Sequence, residues 1–530
     1  MIEFGMRMWI RIAVVFGVGW GLSLQPSFAE DAAKSPTNSL PITDGPPIPK
    51  IGELWDEPLV PVGLKKQLFT DNYLISNRYN VEFDLNQATK ANGGKPVLTR
   101  DKPWEQADLF QVNNVLHDGT KFFMHYGYTG PVDYCCRAES EDGLHWTKPI
   151  VGLHEFQGSK ENNLLDHQGC GWFLDPHETD PAQKFKSTYR PLESTSLPQG
   201  ACLAYSADGL HWHDYNNGKP VTGRATDTLN QLAWDERAHV YRLFTRTDFG
   251  AGGGDTEYRG AREMINPDIK ADPTNWTTVD EWIFDQEGRG ELKRRQIHTV
   301  NFWQYADIDF ALMVVMEYPA FEIPQVQVGD DDSRHERDVW NCYLTTRRGG
   351  HEADWDLSWI YAEKPFIPRG GKGSFDKDLI HNAPTIVTAN DQHWIYYTGW
   401  ENGHMRHPYH PAIGLATVPL DRFFFVEPWR SSEEGWLITK PFQLEGDELE
   451  INADASKGSV AVEILNEKGE PLTGFSRADA VPLEGQDEIR LKPEWKGGAN
   501  LARLRGKKVR LKFHLNDAKL YAFQVGQSTK

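Results

Sequence analysis

Cysteine is scarce in this chain, with five residues in 530. The five lie at positions 135, 136, 170, 202 and 342 and show no spacing typical of a zinc site. A disulfide framework is therefore excluded as the basis of the fold, and an odd number leaves at least one thiol unpaired within the chain. We interpret Cys135 and Cys136 as buried strand residues, of which one would pair with Cys170 or Cys202 if a disulfide forms.

Basic residues are also under-represented: 56 Lys and Arg stand against 76 Asp and Glu, for a formal net charge of −20. An acidic surface repels nucleic acid and anionic lipid unless a local basic patch overrides the field. We therefore expect no nucleic-acid partner and no membrane association beyond export. The sequence gives no indication of the oligomeric state.

Long apolar runs are missing except near the N-terminus, where residues 12–24 follow Arg7 and Arg11 and precede Ser27-Phe28-Ala29. Three glycines interrupt this run, which is too short to span a bilayer. We predict an export signal over residues 1–29 and a secreted or periplasmic protein. Residues 30–50, rich in Pro, Ser and Asp, are predicted to form an extended linker.

Amphipathic helical patterns are hard to find after residue 50, whereas period-two alternation and aromatic residues are abundant, with 19 tryptophans. This pattern predicts an all-β protein. A mature chain of roughly 500 residues exceeds one ordinary core, so several domains or a repeat architecture are expected.

A repeat marks the middle of the chain. Residues 138–146 (AESEDGLHW) recur as residues 204–212 (AYSADGLHW), and weaker copies surround Trp276 and Trp355. We interpret the Asp-Gly pair as a tight turn and the tryptophan as its packing residue, not as a catalytic site. Aligning the units by their second strands gives five segments, which predict a five-bladed β-propeller over residues 51–430. These segments are Lys121–Tyr126, Lys184–Tyr189, Val240–Thr245, Asp309–Met316 and His393–Thr398.

The C-terminal part differs from the repeat region in its sequence pattern, because four short segments alternate apolar and polar residues. They predict a small β-sandwich over residues 431–530, with a structural role against the propeller favoured over glycan binding. The segments are Glu448–Asn452, Ser459–Leu465, Lys508–Leu515 and Leu520–Val525.

A propeller whose blades end in Ser-x-Asp-Gly-x-x-Trp, followed by a sandwich that opens on residues 435–442 (GWLITKPF), resembles the glycoside hydrolases of the family 32 and family 43 type. The resemblance implies a carbohydrate substrate, two catalytic carboxyl groups and no organic cofactor. The chain lacks the Trp-Met-Asn-Asp-Pro, Arg-Asp-Pro and Glu-Cys motifs of those enzymes. Position in the fold, not motif, therefore selects the candidate residues.

In a propeller the innermost strand of each blade starts at one face of the channel, and the second strand ends there. Four carboxylates at such positions are catalytic candidates: Asp108, Asp227, Glu317 and Asp376. By the resemblance, Asp108 occupies the place where similar enzymes carry the nucleophile or base. Asp376 is the competing candidate for the base. Asp227 is an orienting carboxylate, and Glu317, after an apolar run, would have the raised pKa of an acid.

Other residues at these strand ends are candidates for substrate binding, with blade bracing as the alternative for the arginines and stacking on a sugar ring as the role considered for Trp400. They are His167, Arg190, Arg246, Arg295, His298, His381, Trp400 and His404. The group His404, His407 and His410 has a spacing that suits no familiar zinc site, so no metal site is predicted.

The sequence therefore predicts an exported glycoside hydrolase that acts on a poly- or oligosaccharide. Two alternatives remain open: a glycan-binding propeller without catalysis, and a phosphorolytic enzyme that would hold phosphate at Lys293-Arg294-Arg295. The sugar, its linkage and the stereochemical course are not specified by these patterns.

Overall fold

The computed structural model describes residues 57–105, 110–127, 135–165, 170–189, 200–223, 229–249, 258–282, 284, 295–317, 338–403 and 410–528. The predicted signal and linker lie outside these residues. Strands dominate the described part, which confirms the all-β class. The first four strands are β1 Lys66–Leu68, β2 Ile75–Tyr79, β3 Val81–Leu85 and β4 Thr89–Lys90.

Three separate four-stranded antiparallel sheets follow, each with its strands adjacent in chain order. Unit one contains β5 Val112–His117, β6 Phe122–Tyr126, β7 Cys135–Ser140 and β8 Leu164–Leu165. Unit two contains β9 Cys170–Leu174, β10 Phe185–Tyr189, β11 Cys202–Ser206 and β12 Trp212–Asp214. Unit three contains β13 Gln231–Asp235, β14 Val240–Phe249, β15 Tyr258–Asn266 and β16 Thr277–Trp282.

Two further antiparallel units share one eight-stranded sheet, because a single parallel bridge joins Trp340 to Leu379. Unit four contains β17 Arg295–Tyr305, β18 Ile308–Glu317 and β19 Val339–Arg347, followed by the short helix α1 Ser358–Tyr361. Unit five contains β20 Leu379–Asn382, β21 Val387–Ala389, β22 Gln392–Trp400 and β23 Ala412–Pro419. Its outermost strand is β4, which pairs with β23. The five segments aligned in the sequence lie on β6, β10, β14, β18 and β22. Each of these is the second strand of its unit in the order of pairing, since in unit five both β20 and β21 pair with β22.

Apolar clusters between successive units close them into a ring. Units one and two meet around Trp172, units two and three around Trp234, and units three and four around Phe302. Unit five packs on unit four around Ile380 and on unit one around Tyr396. The inner strands converge, since the Gln231 side chain donates to the backbone oxygens of both Phe302 and Pro384. This is the propeller arrangement predicted from the sequence.

The repeated turn is a structural device in both complete copies. Ser140 Oγ accepts from Gly143 N at 2.9 Å, and Asp142 Oδ1 accepts from two backbone N–H groups. The second copy repeats these bonds with Ser206 and Asp208. Hydrogen bonds from His145 hold the pKa of Asp142 below its usual range. The carboxylates are used within the turn, as the sequence analysis expected.

The C-terminal strands form two facing sheets with a shared apolar core. Their bounds are β24 Phe424–Pro428, β25 Gly435–Thr439, β26 Phe442–Gln443, β27 Glu448–Asp454, β28 Ser459–Leu465, β29 Ala480–Val481, β30 Leu483–Glu484, β31 Asp487–Leu491, β32 Glu494–Trp495, β33 Lys508–Asn516 and β34 Lys519–Gly526. One sheet has the order β3-β24-β34-β27-β31 with β1 beside β34, and the other has the order β2-β25-β33-β28-β30 with β26 beside β33.

The predicted domain boundaries at residues 51–430 and 431–530 require correction. Strands β1, β2 and β3 pair with β34, β25 and β24, so the sandwich takes strands from both ends of the chain. Phe69, Leu74 and Ile75 lie in its core. A linear reading cannot detect pairing between segments so far apart, because the alternation of a strand does not reveal its partner. The propeller therefore begins at β4.

The described residues also include seven short 3-10 helices and several buried thiols. The 3-10 helices are Asn92–Gly94, Pro103–Glu105, Pro181–Gln183, Tyr215–Gly218, Gly350–Glu352, Lys496–Gly498 and Leu501–Leu504. Cys136, Cys202 and Cys342 are buried free thiols, so the considered pairing with Cys202 is not formed. No helix in the described part of the chain is long and apolar enough to cross a membrane.

A buried network of charges joins units three and four. The fully buried Arg242 donates to Glu263 and to Asp309 at 3.0 Å each, and also to Asp235. Arg347 bonds Glu263 at 2.8 Å and Asp309 at 3.1 Å. Arg237 adds a third cation on Asp309. Three guanidinium groups thus balance three carboxylates, which is the condition under which charges are tolerated in an interior.

Replacing Arg242 by Met is expected to lower the free energy of unfolding by about 3–5 kcal/mol, because it leaves three buried carboxylates with too few cations. The exposed pair of Arg490 with Asp391 provides a control, and Arg490→Met should leave the unfolding midpoint nearly unchanged. Chemical denaturation measures both. Equal effects of the two substitutions would contradict the assignment.

Candidate active site

The candidate site lies where β17 begins, β18 ends and β19 begins. The register places Arg295 opposite Glu317 and Glu317 opposite Val339. Because alternate residues of a strand share a face, Asn341 and Tyr343 of β19 lie on the face of Glu317. Cross-strand pairing therefore gathers one carboxylate, one guanidinium, one amide and one phenol at this end of unit four.

Two neutral donors converge on one oxygen of Glu317. The Tyr343 hydroxyl donates to Glu317 Oε2 at 2.7 Å, and Asn341 Nδ2 donates to the same atom at 2.5 Å. Burial and the charge of Glu317 raise the pKa of Tyr343 far above its ordinary value, so its hydroxyl stays protonated and donates. The two donors fix the position of the Glu317 side chain at this end of unit four.

One guanidinium lies beside this carboxylate, and a second orients the amide that donates to it. Arg295 Nε lies 3.4 Å from Glu317 Oε1, and the guanidinium also donates to the Ile360 carbonyl oxygen at 3.2 Å. Arg369 Nε donates to Asn341 Oδ1 at 2.8 Å and fixes the orientation of that amide. Arg295 is almost wholly buried, whereas Glu317 keeps 9% of its surface exposed.

The opposite face of the same strands packs histidines and tryptophans. The rings of His298 and Trp340 lie 4.1 Å apart, and those of His298 and His381 lie 5.3 Å apart. Trp340 also contacts Trp400 at 6.2 Å and donates to Asp338. Trp400 is 4% exposed and lies in a cluster with Leu379, so it packs unit five against unit four. This burial leaves little of its ring for the sugar stacking considered from the sequence.

The structure brings together Arg295 and Glu317, and separately His298, His381 and Trp400. Arg246 lies on β14, opposite Ala261, and is 8% exposed. The remaining candidates lie outside the described residues, and their roles stay predictions. They are Asp108, His167, Arg190, Asp227 and His404.

Asp376 has a structural position, contrary to the base role considered for it. Its side chain is 1% exposed, and Oδ2 lies 2.5 Å from Lys90 Nζ. The Tyr397 hydroxyl donates to the same oxygen at 2.8 Å. Burial in this pair closes Asp376 to water and substrate. The sequence placed Asp376 before an inner strand but could not show that β4 supplies its cation.

Three contributing residues were missed in the sequence analysis: Asn341, Tyr343 and Arg369. The contacts of Asn341 and Tyr343 with Glu317 depend on the register between β18 and β19, which residues 318–338 separate in the chain, and Arg369 reaches Asn341 from outside these strands. The aromatic and β-branched residues of Val339–Arg347 indicate a strand, yet they do not specify which residue lies opposite Glu317. No signal in the sequence alone would have found them.

Among the residues that the structure describes, no group of three or more His, Cys, Asp or Glu side chains is arranged to hold a metal ion. Burial lowers the pKa of His381 to about 4, so its imidazole is neutral near pH 7.

Comparison with known proteins gives matches in structure but not in sequence. No family model matches the chain, and no curated protein matches it. A glycoside hydrolase structure aligns with TM-score 0.39 and 14% identity over 62% of this chain and 92% of its own. The catalytic domain of the Coprinopsis cinerea GH62 alpha-L-arabinofuranosidase gives 0.39 and 10% over 63% and 97%. An exo-inulinase from Aspergillus awamori gives 0.36 and 10% over 83% and 99%.

Substituting Asp376 by Asn is expected to reduce stability, not to remove a catalytic group. The change leaves the Lys90 ammonium without its buried partner, and we expect a loss of about 3–5 kcal/mol in the free energy of unfolding. Tyr397→Phe removes one hydrogen bond to the same charged oxygen but keeps the ion pair, and should cost about 1.5–3 kcal/mol. A fully stable Asp376→Asn protein would contradict the structural role.

His381 should remain neutral from pH 8 to pH 5, because burial holds its folded-state pKa near 4, below the ordinary 6.5. Its contribution to stability is then complete above pH 6.5 and is lost as the pH falls towards 4. NMR of the imidazole Cε1 protons, with His381→Gln to assign the resonance, measures this. A titration midpoint near 6.5 would show that the ring is hydrated.

Proposed function

We propose that this protein is an exported glycoside hydrolase that cleaves a poly- or oligosaccharide with paired carboxyl groups. The observation that carries the proposal is the position of Glu317, the last residue of β18. Tyr343, Asn341 and Arg295 hold its carboxylate, yet part of its surface stays exposed. Export follows from the predicted signal over residues 1–29.

Hydrolysis of a glycosidic bond needs one carboxyl group that donates a proton to the leaving oxygen and one that attacks or activates water. Glu317 supplies one of the two. Asp108 and Asp227 are the candidates for the other. They are predicted for the starts of the inner strands of units one and three. A site assembled from several blades in this way is typical of pockets at the mouth of a closed β-structure.

The phosphorolytic alternative is less favoured because of Arg295. Its guanidinium is almost wholly buried and is engaged with Glu317, with the Ile360 carbonyl oxygen and, at 3.5 Å, with Glu363. A guanidinium committed to protein acceptors is poorly placed to receive a phosphate. The glycan-binding alternative differs from hydrolysis only in turnover, so an activity measurement separates them.

Glu317→Gln should abolish turnover, with a loss of about 100-fold or more in kcat/KM, while the protein keeps its fold. Release of reducing sugar from a panel of plant, algal and microbial glycans measures the activity, and circular dichroism measures the fold. Glu363→Gln is the matched control, since Glu363 also contacts Arg295 but its side chain is 54% exposed. We expect the control to retain activity. Binding of a glycan without turnover by the unsubstituted protein would instead favour the glycan-binding alternative.

A further inference from the structure

We infer that Glu317 is the proton-accepting carboxylate of the reaction and that Arg369 is a positioning residue, which acts on Glu317 through the amide of Asn341. This inference rests on the proposed function, because it assigns roles within the same site. It reverses the acid role that the apolar run before Glu317 had indicated.

The orientation of Asn341 is the first step. An amide side chain can be placed either way round, and its hydrogen-bond partners decide which end faces which group. Arg369 Nε is a donor without acceptor capacity, so the atom 2.8 Å from it must be Asn341 Oδ1. The amide nitrogen then has to face Glu317, where it donates to Oε2 at 2.5 Å. Arg369 thereby imposes a donor on the carboxylate without touching it.

The position of Arg369 is itself fixed by the blade. Its Nη1 donates to the Lys377 carbonyl oxygen at 2.7 Å. The backbone just before it pairs with β19, since Phe366 N donates to the Cys342 oxygen at 2.7 Å. Arg295, Glu317 and Asn341 therefore lie on β17, β18 and β19, and Arg369 adjoins them from the segment that pairs with β19 at Cys342. Each of these four residues contacts the next.

The neighbouring side chains surround the carboxylate of Glu317 with donors and a cation. The Tyr343 hydroxyl and Asn341 Nδ2 both donate to Oε2, and the Arg295 guanidinium lies on the side of Oε1. Donors and a nearby cation stabilise the charged form of a carboxylate more than its neutral form.

In the reaction, Glu317 takes a proton from the attacking water while the water oxygen bonds to the anomeric carbon. The bond from that carbon to the leaving oxygen breaks, and the leaving oxygen receives a proton from a second carboxylic acid. Protons and electron pairs balance, and the second acid regains its proton from Glu317 by exchange with solvent after product release.

Leaving-group dependence separates an acceptor from a donor. A p-nitrophenolate leaves without protonation, whereas phenolate needs more assistance, so loss of the acid affects phenyl glycosides far more than p-nitrophenyl glycosides. With a panel of both aryl glycosides as probes, Glu317→Ala and Glu317→Gln should lose kcat/KM by the same factor on both, about 100-fold or more. Retention of p-nitrophenyl glycoside cleavage alone would overturn the inference and leave hydrolysis intact.

The positioning role of Arg369 is tested by the pH profile. Arg369→Met frees the Asn341 amide. The acidic limb of the pH profile of kcat/KM should then move to higher pH by about one unit, while kcat/KM at the optimum pH falls less than it does in Glu317→Gln. Arg348→Met is the control. Arg348 directly follows the other end of β19, where it bonds Asp71 and the Leu68 oxygen. The control should leave the limb unmoved.

A double substitution completes the test. If Arg369 acts only through Asn341, then Arg369→Met should have no further effect on the limb in an Asn341→Leu background. A limb that stays in place in Arg369→Met, or effects that add, would overturn the positioning role. Absence of hydrolysis by the unsubstituted protein on every glycan and aryl glycoside would instead overturn the proposed function itself, so the two failures are distinguishable.

Discussion

Closure of the ring by strand β4 is the constraint on which the rest of this structure depends. The propeller begins at β4 and its last strand is β23, so the ring closes where these two ends of the propeller segment meet. Here β4 pairs with β23, and the Lys90 side chain enters unit five to meet Asp376. Only three residues separate β4 from β3, which lies in the sandwich. Closing the ring therefore also anchors the sandwich.

The space for this closure is provided by glycine. A Cβ on Gly399 would lie 2.5 Å from the Asp376 Cβ, and one on Gly414 would lie 2.6 Å from the Tyr397 ring. Both contacts are too close for any side chain. The two glycines thus allow the carboxylate and the phenol to occupy the interior of unit five, where the ion pair has to form.

Part of this architecture could be predicted from the sequence, because strands and turns are local. The second strands of all five units and the four alternating C-terminal segments occur where the patterns indicated, and the Ser-x-Asp-Gly-x-x-Trp turns are hydrogen-bonded devices. Non-local pairing was not predictable. The assignment of β1, β2 and β3 to the sandwich depends on strands at the other end of the chain.

The candidate site shows the same division. Glu317 was found because it ends an apolar second strand, which is a local feature. The donors that decide its chemistry come from β19 and from Arg369, and their approach depends on a register that the sequence does not encode in any single segment. For Asp376 the same limitation hid Lys90, so a structural carboxylate was indistinguishable from a catalytic one.

Three buried carboxylates of this chain differ in what neutralises them, and that difference argues for the role of Glu317. Asp309 is neutralised by several guanidinium groups, and Asp376 by an ammonium in contact. Glu317 instead receives two neutral donors, with its nearest guanidinium nitrogen at 3.4 Å. A carboxylate neutralised by close ion pairs gains little from a further proton. Glu317 is held mainly by neutral donors and keeps 9% of its surface exposed, so water can reach it, which a group that must accept a proton from water requires.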